Sequence, residues 1–526
     1  MTTETSSNAV RWRVLAGGIL IQMLLGTIYG YSIFWTPLTS EVFPEVITQA
    51  EASRITAAGE SVEDYRVVED EAAAERQQAL HQSYLRYAFS ICVLSFALVM
   101  IFAGRLQDLK GPRVPALIGG FLIGGGFLTA GLMASPIVFY LAHAAFAGAI
   151  VLALLMLSRV LLSAFQAQRG PIADYLPWAI VTGVIVAAIT LANQYVGRLG
   201  EWDAVFLLWG TIGFLAGAGV GFAYVCPIAA LTKWFPNNKG LVSGLAVAGF
   251  GFGAYFFKGD PYIFSTEWLT IPILGAQGFA DAFGIQALFV AHGLVCVFGI
   301  GIGALMLKNP PGVPLKAAVG SESVWQETLR SPAFYMLWLM FFSGSVAGLM
   351  VIGIVQPFVS EQLVGTGMEL GRATAIGTAA VGYLAVFNAL GRIIWGLVSD
   401  RLGRTAVFIG VFVIQAIVMF LLGHLTSPVA LSVAAAAVGF NYGGKFALFP
   451  SATSDFFGAK NLGANYGWLF TSYGIAGVVG IAAGNAARVL TGSYVAAFTI
   501  AGLLCLISAG LALVLRSMRR TLETQR

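Results

Sequence analysis

Gly104-Arg-Leu-Gln-Asp108-Leu-Lys-Gly111-Pro-Arg113 recurs 292 residues later as Gly396-Leu-Val-Ser-Asp400-Arg-Leu-Gly403-Arg404, and both read G-x-x-x-D-x-x-G. A second pattern, Pro-x12-Gly-x3-Gly-x6-Gly, starts at Pro227 (Gly240, Gly244, Gly251) and again at Pro450 (Gly463, Gly467, Gly474), an offset of 223. Duplicated halves in a membrane protein are the usual build of a secondary carrier, with the substrate held between them. The two offsets differ by 69 residues, so the first half carries an insertion between its motifs. That length holds two more membrane spans.

Composition agrees. The chain is 58% hydrophobic and 10% charged, with a mean hydropathy of +0.82, which places it among polytopic membrane proteins. Its 64 glycines fit close helix packing in lipid, and no G-x-x-x-x-G-K-[ST] string appears that would drive transport with ATP. Cys92, Cys226, Cys296 and Cys505 all fall in apolar runs, which excludes a disulfide framework or a zinc site. The four histidines are scattered with no metal-ligand spacing, so neither an enzyme, a cofactor nor a metal is expected. Nothing points to nucleic acid. Oligomeric state is left open.

Apolar runs predict an all-α fold of fourteen spans: two six-helix halves plus a pair inserted between core helices 3 and 4. The N-terminal half covers residues 1–307, with core runs near 14–38, 86–104, 114–133, 204–231, 239–257 and 284–307 and the inserted pair at about 136–196. A cytoplasmic linker spans 308–332. The C-terminal half, 333–526, has runs near 333–358, 373–396, 405–425, 429–455, 463–486 and 491–515. With both termini cytoplasmic, inner loops hold nineteen Lys and Arg residues against eight outside, as the positive-inside rule prefers in an inner membrane. A long external loop, about 39–84, carries ten of the 25 acidic residues. Val67, Val68 and Ala72–Ala74 suggest a short helical cap there.

Several strings resemble the major facilitator superfamily and, within it, the oxalate/formate antiporter family. They are the duplicated loop motif, Gly26-Thr-Ile-Tyr29-Gly-Tyr31-Ser-Ile-Phe34, Gly221-Phe-Ala-Tyr224-Val-Cys-Pro227, Lys233-Trp-Phe-Pro236, Phe387-Asn388-Ala-Leu-Gly391-Arg392 and Phe446-Ala-Leu-Phe449-Pro450. The likeness covers the twelve-helix core but neither the inserted pair nor the long loop. It implies alternating access, with the motif residues Gly104, Asp108, Gly111, Arg113, Gly396, Asp400, Gly403 and Arg404 gating rather than touching substrate. Charged helix ends facing helix N-termini would latch an outward-facing state.

Two cations remain inside the apolar spans, Arg392 and Lys445, and no central Asp or Glu accompanies them. Buried ionisable groups persist where a cavity or a partner faces them, so the missing counter-charge points to an anionic substrate and hence a small carboxylate. The competing readings are an anchor at the inner end of its helix for Arg392 and snorkelling to the interface for Lys445. The resemblance implies that the Arg392 guanidinium grips a carboxylate with two parallel hydrogen bonds. It also exposes a departure: oxalate exchangers carry a Lys where this chain has Tyr473. Tyr29, Tyr31, Trp35, Tyr442 and Tyr473 are candidate walls.

The expected function is secondary transport of small organic anions, mono- or dicarboxylates of the formate and oxalate kind, by exchange. A proton-coupled monocarboxylate symporter, with His292 or the substrate carrying the proton, stays open. So does a membrane sensor that uses the acidic loop.

Overall fold

The computed structural model describes residues 2–28, 35–131, 202–258, 276–311, 323–491 and 493–524. The first part of the chain forms α1 (Thr2–Gly26), α2 (Trp35–Val42), β1 (Glu45–Thr48), α3 (Gln49–Ala57) and β2 (Tyr65–Val68). Then come α4 (Glu71–Lys110), α5 (Arg113–Gly131), α6 (Asp203–Trp234), α7 (Lys239–Lys258), α8 (Ala276–Phe283) and α9 (Ile285–Met306). After residue 323 follow α10 (Trp325–Thr328), α11 (Pro332–Val364), α12 (Leu370–Leu402), α13 (Arg404–Leu422), α14 (Pro428–Phe457), α15 (Leu462–Thr491) and α16 (Val495–Thr524).

Each of the twelve core runs overlaps one of these helices. Nine described helices are long and apolar enough to cross a membrane: α1, α4, α5, α6, α9, α11, α12, α13 and α16. The helix α7 has a shorter apolar stretch, Lys239–Gly253, while α14 and α15 reach 30 residues each. The expected inserted pair at 136–196 lies outside the described residues.

Glycines set the packing. Gly439 and Gly443 of α14 press on the α12 backbone at Leu384 and Asn388, and Gly391 of α12 presses on Phe440. Any side chain at these positions would push the two helices apart. In α6 the middle of the helix, Trp209–Ala216, is π-helical. The Trp209 indole donates to the Tyr84 carbonyl at 2.7 Å, and Ser95 donates to the Phe214 carbonyl at 2.9 Å, so α4 supports this wide turn from the side.

The long loop differs from the helical cap expected of it. A helix is there, α3, but it connects two parallel strands paired from Glu45↔Tyr65 to Thr48↔Val68. Val67 and Val68 therefore lie in β2, while Ala72–Ala74 start α4. The β-branched stretches Val46-Ile47-Thr48 and Val67-Val68 favour extended backbone. Asp70, whose carboxylate accepts from Ala73 N at 2.7 Å, caps a helix that good helix formers then continue. A capping box starts α3: the Thr48 backbone donates to Glu51 at 2.8 Å, and Glu51 N donates to the Thr48 hydroxyl at 3.3 Å. These bonds hold the exposed Glu51 carboxyl below its usual range.

Candidate functional site

The two duplicated motifs are the two sides of one kind of contact, exchanged between the halves of the sequence. Asp108, at the end of α4, accepts from the N–H groups of Gly463 (3.1 Å) and Ala464 (2.8 Å) in the first turn of α15. Asp400, at the end of α12, accepts from those of Gly240 (2.9 Å) and Leu241 (2.8 Å) in the first turn of α7. Each carboxylate thus satisfies donors that a helix N-terminus leaves unpaired and meets the positive end of its dipole. Gly104 lies against the Gly463 backbone and Gly396 against the Gly240 backbone, so the first glycine of each motif permits this approach. Gly111 (φ 82°) and Gly403 (φ 85°) end their helices in the left-handed region, which explains the second glycine.

The two latches are unequal. Asp400 also pairs with Arg404 at 2.6 Å, and Arg404 reaches Asp455 at 3.1 Å, where Lys239 adds a further pair at 2.9 Å. A second Arg404 nitrogen donates to the Ser399 hydroxyl. Around Asp108, Lys233 and Arg105 supply the positive charge. Arg113 instead donates to the Leu307 carbonyl at 2.7 Å, bracing α5 against the end of α9.

Above the Asp400 latch, Arg392 faces α7 across the same seam. It is 4% exposed. One Nη donates to the Val247 carbonyl at 2.5 Å, and Nε donates to Asn388 Oδ1 at 3.0 Å. The guanidinium carbon lies 4.8 Å from the Phe446 ring centre and 5.8 Å from that of Phe250. Two of its five N–H donors are therefore engaged, and the other three have no hydrogen-bond partner among the described residues. Among those residues no carboxylate comes within ion-pair distance of it. Gly244 of α7 rests on the Arg392 backbone, and the offset of 292 that links Gly104 to Gly396 links Met100 to Arg392. One half offers a cation where the other offers a thioether.

Rings from both halves close the region. Phe96 of α4 lies 5.0 Å from Tyr224 and 4.7 Å from Phe470, and Tyr473 lies 5.4 Å from Phe446. The buried hydroxyls of Tyr224 and Tyr466 face each other, and both lie within range of the Arg392 charge. Sequence reasoning did not single out Phe96, Tyr224, Phe250, Phe446, Tyr466 or Phe470 as site residues. Tyr224, Phe250, Phe446 and Phe470 do stand inside or beside the motif strings, which was the available signal.

The other expected site residues are spread out. The Lys445 ammonium donates to the Gly344 carbonyl and lies 4.7 Å over the Tyr442 ring, with Phe412 alongside and Cys505 within electrostatic reach. It shares no partner with Arg392, so the two cations are not brought together. Tyr442 donates to the Tyr473 hydroxyl at 3.2 Å, which joins these two expected wall residues. Tyr29, Tyr31 and the Trp35 side chain lie outside the described residues.

Residues 345–525 match the family model of the Major Facilitator Superfamily. The Escherichia coli K12 protein YhjX, an uncharacterized MFS-type transporter, is 24% identical over 481 residues, covering 90% of this chain and 88% of the relative. The oxalate:formate antiporter of Oxalobacter formigenes is 31% identical over 299 residues, or 56% of this chain and 65% of the antiporter. Monocarboxylate transporter 12 of Xenopus laevis is 24% identical over 370 residues, 64% of this chain and 73% of that protein. Among solved structures, the proton:xylose symporter XylE superposes with a TM-score of 0.55 at 13% identity, covering 96% of this chain and 95% of that one. The helical fold is that of these transporters.

Proposed function

We propose that the chain is a transporter of the major facilitator superfamily that carries small organic anions by alternating access, as an exchanger. Arg392 is the observation that carries this reading. It is a buried guanidinium at the junction of α7, α12 and α14, with donors to spare and no carboxylate beside it. A carboxylate bound between the halves would supply the counter-charge, and the planar fork suits two-pronged recognition. Tyr473 and Tyr442 form one wall of this site, and Lys445 supports it from behind the Tyr442 ring.

A single guanidinium at the seam favours monocarboxylates, such as formate, over dicarboxylates. Lys445 is engaged with Gly344, and Tyr473 offers a hydroxyl where a second cation would be needed. The substrates for which these relatives are named include both classes. The setting we propose is the cytoplasmic membrane, with both termini and both latches inside. The two halves, 1–307 and 333–526, rock about the site, and two further spans at about 136–196 bring the total to fourteen.

Binding of formate and of oxalate, measured per folded molecule, tests the assignment. Arg392→Ala should weaken carboxylate binding by about 3–5 kcal/mol, the usual result of removing one member of a desolvated charge pair. Arg392→Lys should restore little of it, and Lys445→Met should cost less affinity than Arg392→Ala. Unchanged affinity in folded Arg392→Ala protein would overturn the site.

Proton-coupled monocarboxylate symport is the second reading, and it draws on His292. The Thr27 hydroxyl donates its proton to the Leu24 carbonyl at 2.6 Å, so at 3.0 Å it must accept from His292 Nε2. This polar contact joins α9 to the end of α1. Carboxylate uptake that acidifies the vesicle interior, and stops doing so in His292→Gln, would favour symport over exchange.

A further inference from the structure

One N–H of the guanidinium that an anion would grip is already held by a backbone oxygen of the opposite half. Val247 lies in α7, before residue 311, and Arg392 lies in α12, after residue 323, so their 2.5 Å bond crosses the seam. In a regular helix the Val247 carbonyl also accepts from the N–H four residues on, and its second lone pair takes the guanidinium. A peptide oxygen carries no net charge. A carboxylate does, and away from water a full negative charge attracts the guanidinium more strongly than a peptide dipole. The substrate therefore outcompetes Val247 for Arg392.

We infer that the Arg392–Val247 bond is an interlock, formed in the empty carrier and released when the substrate's carboxylate takes the guanidinium. This rests on the reading of Arg392 as the anion's partner. The empty protein then holds α7 to α12 twice, at the Asp400 latch and at Val247, whereas the loaded protein holds them once. A ligand shifts a conformational equilibrium only through its different interactions with the two states, and release of this tether is such a difference. The seam between α4 and α15 has Met100 at the matching position, whose thioether donates no hydrogen bond, so only one seam is interlocked. Slow reorientation of the empty carrier and fast reorientation of the loaded one give exchange rather than net flux.

Proteoliposomes loaded with labelled formate or oxalate allow the comparison of counterflow with net efflux into anion-free buffer. Unmodified protein should exchange at least ~10-fold faster than it leaks, the scale set by one hydrogen bond to a charged group. Incorporating the α-hydroxy analogue of Ala248 turns the 247–248 peptide into an ester and weakens the Val247 carbonyl as an acceptor. Net efflux should rise about tenfold towards the exchange rate, again the scale of that one bond, with anion affinity equal or tighter. The same replacement at Ala246 removes a comparable helix bond without touching Arg392 and is the control. If the Ala248 ester leaks no faster than the Ala246 ester, the interlock is wrong.

The bond can also be read without altering it. Isotope-edited infrared spectra of protein carrying a 13C=18O-labelled Val247 should show the carbonyl band moving to higher frequency on anion binding, and a fixed band overturns the interlock. Arg392→Ala run in parallel separates the two claims. Retained binding there removes the anion site itself, while lost binding with an inert Ala248 ester removes only the tether.

Discussion

Replacing the latch carboxylates one at a time should loosen the two seams by different amounts. Asp400 accepts from two helix N-terminal N–H groups and from Arg404, at 2.9, 2.8 and 2.6 Å. In Asp400→Asn one amide oxygen must serve, the amide nitrogen opposes a donor, and the charge facing the helix end and Arg404 is gone. With hydrogen bonds to charged groups at about 1.5–3 kcal/mol and a helix-end charge at up to ~2 kcal/mol, the net loss in the latched state is roughly 3 kcal/mol. Asp108→Asn loses the same two kinds of N–H contact together with the attraction to Lys233 and Arg105, a cost of roughly 2 kcal/mol on the same scale. At 1.4 kcal/mol per tenfold, the latched fraction relative to the unlatched falls about 100-fold for Asp400→Asn and about 30-fold for Asp108→Asn. The pairs share no partner, so the effects should nearly add in the double variant. Nitroxides on Val114→Cys and Leu402→Cys, 44% and 68% exposed near the latches, would report the separation by pulsed electron resonance. The four native cysteines are buried and should stay unlabelled. Distance distributions that match the parent in both variants, with ligand binding abolished instead, would refute the gating role.

Two further outcomes test regions away from the seams. Because Thr48 holds Glu51 below its usual pKa range, the capping contribution is complete above the ordinary carboxylate pKa and is lost as pH falls through the lowered folded value. Hydrogen exchange over residues 45–57, corrected for intrinsic rates, should therefore quicken only on acidification below the carboxylate range. Glu51→Gln should remove that dependence, and protection already lost near neutrality would contradict it. For the fourteen-span topology, a cysteine at Ala167, after replacement of the native ones, should resist impermeant thiol reagents in intact cells. Ready labelling would exclude it.

The duplicated motifs foretold much of this arrangement, because steric and dipolar demands act on few residue types. A glycine is required where Gly104 meets Gly463, and again where Gly111 turns left-handed. An acid is required at Asp108 to face a helix N-terminus. That the second pattern supplies the partners of the first was not legible, since spacing along the chain says nothing of which half a glycine will touch. The core helices followed from apolar runs, but the strands β1 and β2 did not, because four-residue β-branched stretches are too short to outweigh a helical reading. For Arg392 and Lys445, depth in the membrane was readable and direction was not. Lys445 turns to the Gly344 carbonyl, left open by that glycine's missing side chain, while Arg392 turns to a carbonyl on another helix. Backbone oxygens leave no mark in a pattern of side chains.

At 40 residues, α4 is a rod of about 60 Å, roughly twice the hydrocarbon thickness of a bilayer. Its beginning carries the small fold of β1, α3 and β2, and its last turn carries Asp108. One continuous helix therefore joins that fold to a latch on the far side of the hydrocarbon layer. A tilt of ~10° during rocking would sweep the tip of such a rod through ~10 Å relative to its base. The acidic cap is thus the long arm of a lever, and whatever braces or crowds it would act on Asp108 without approaching the substrate.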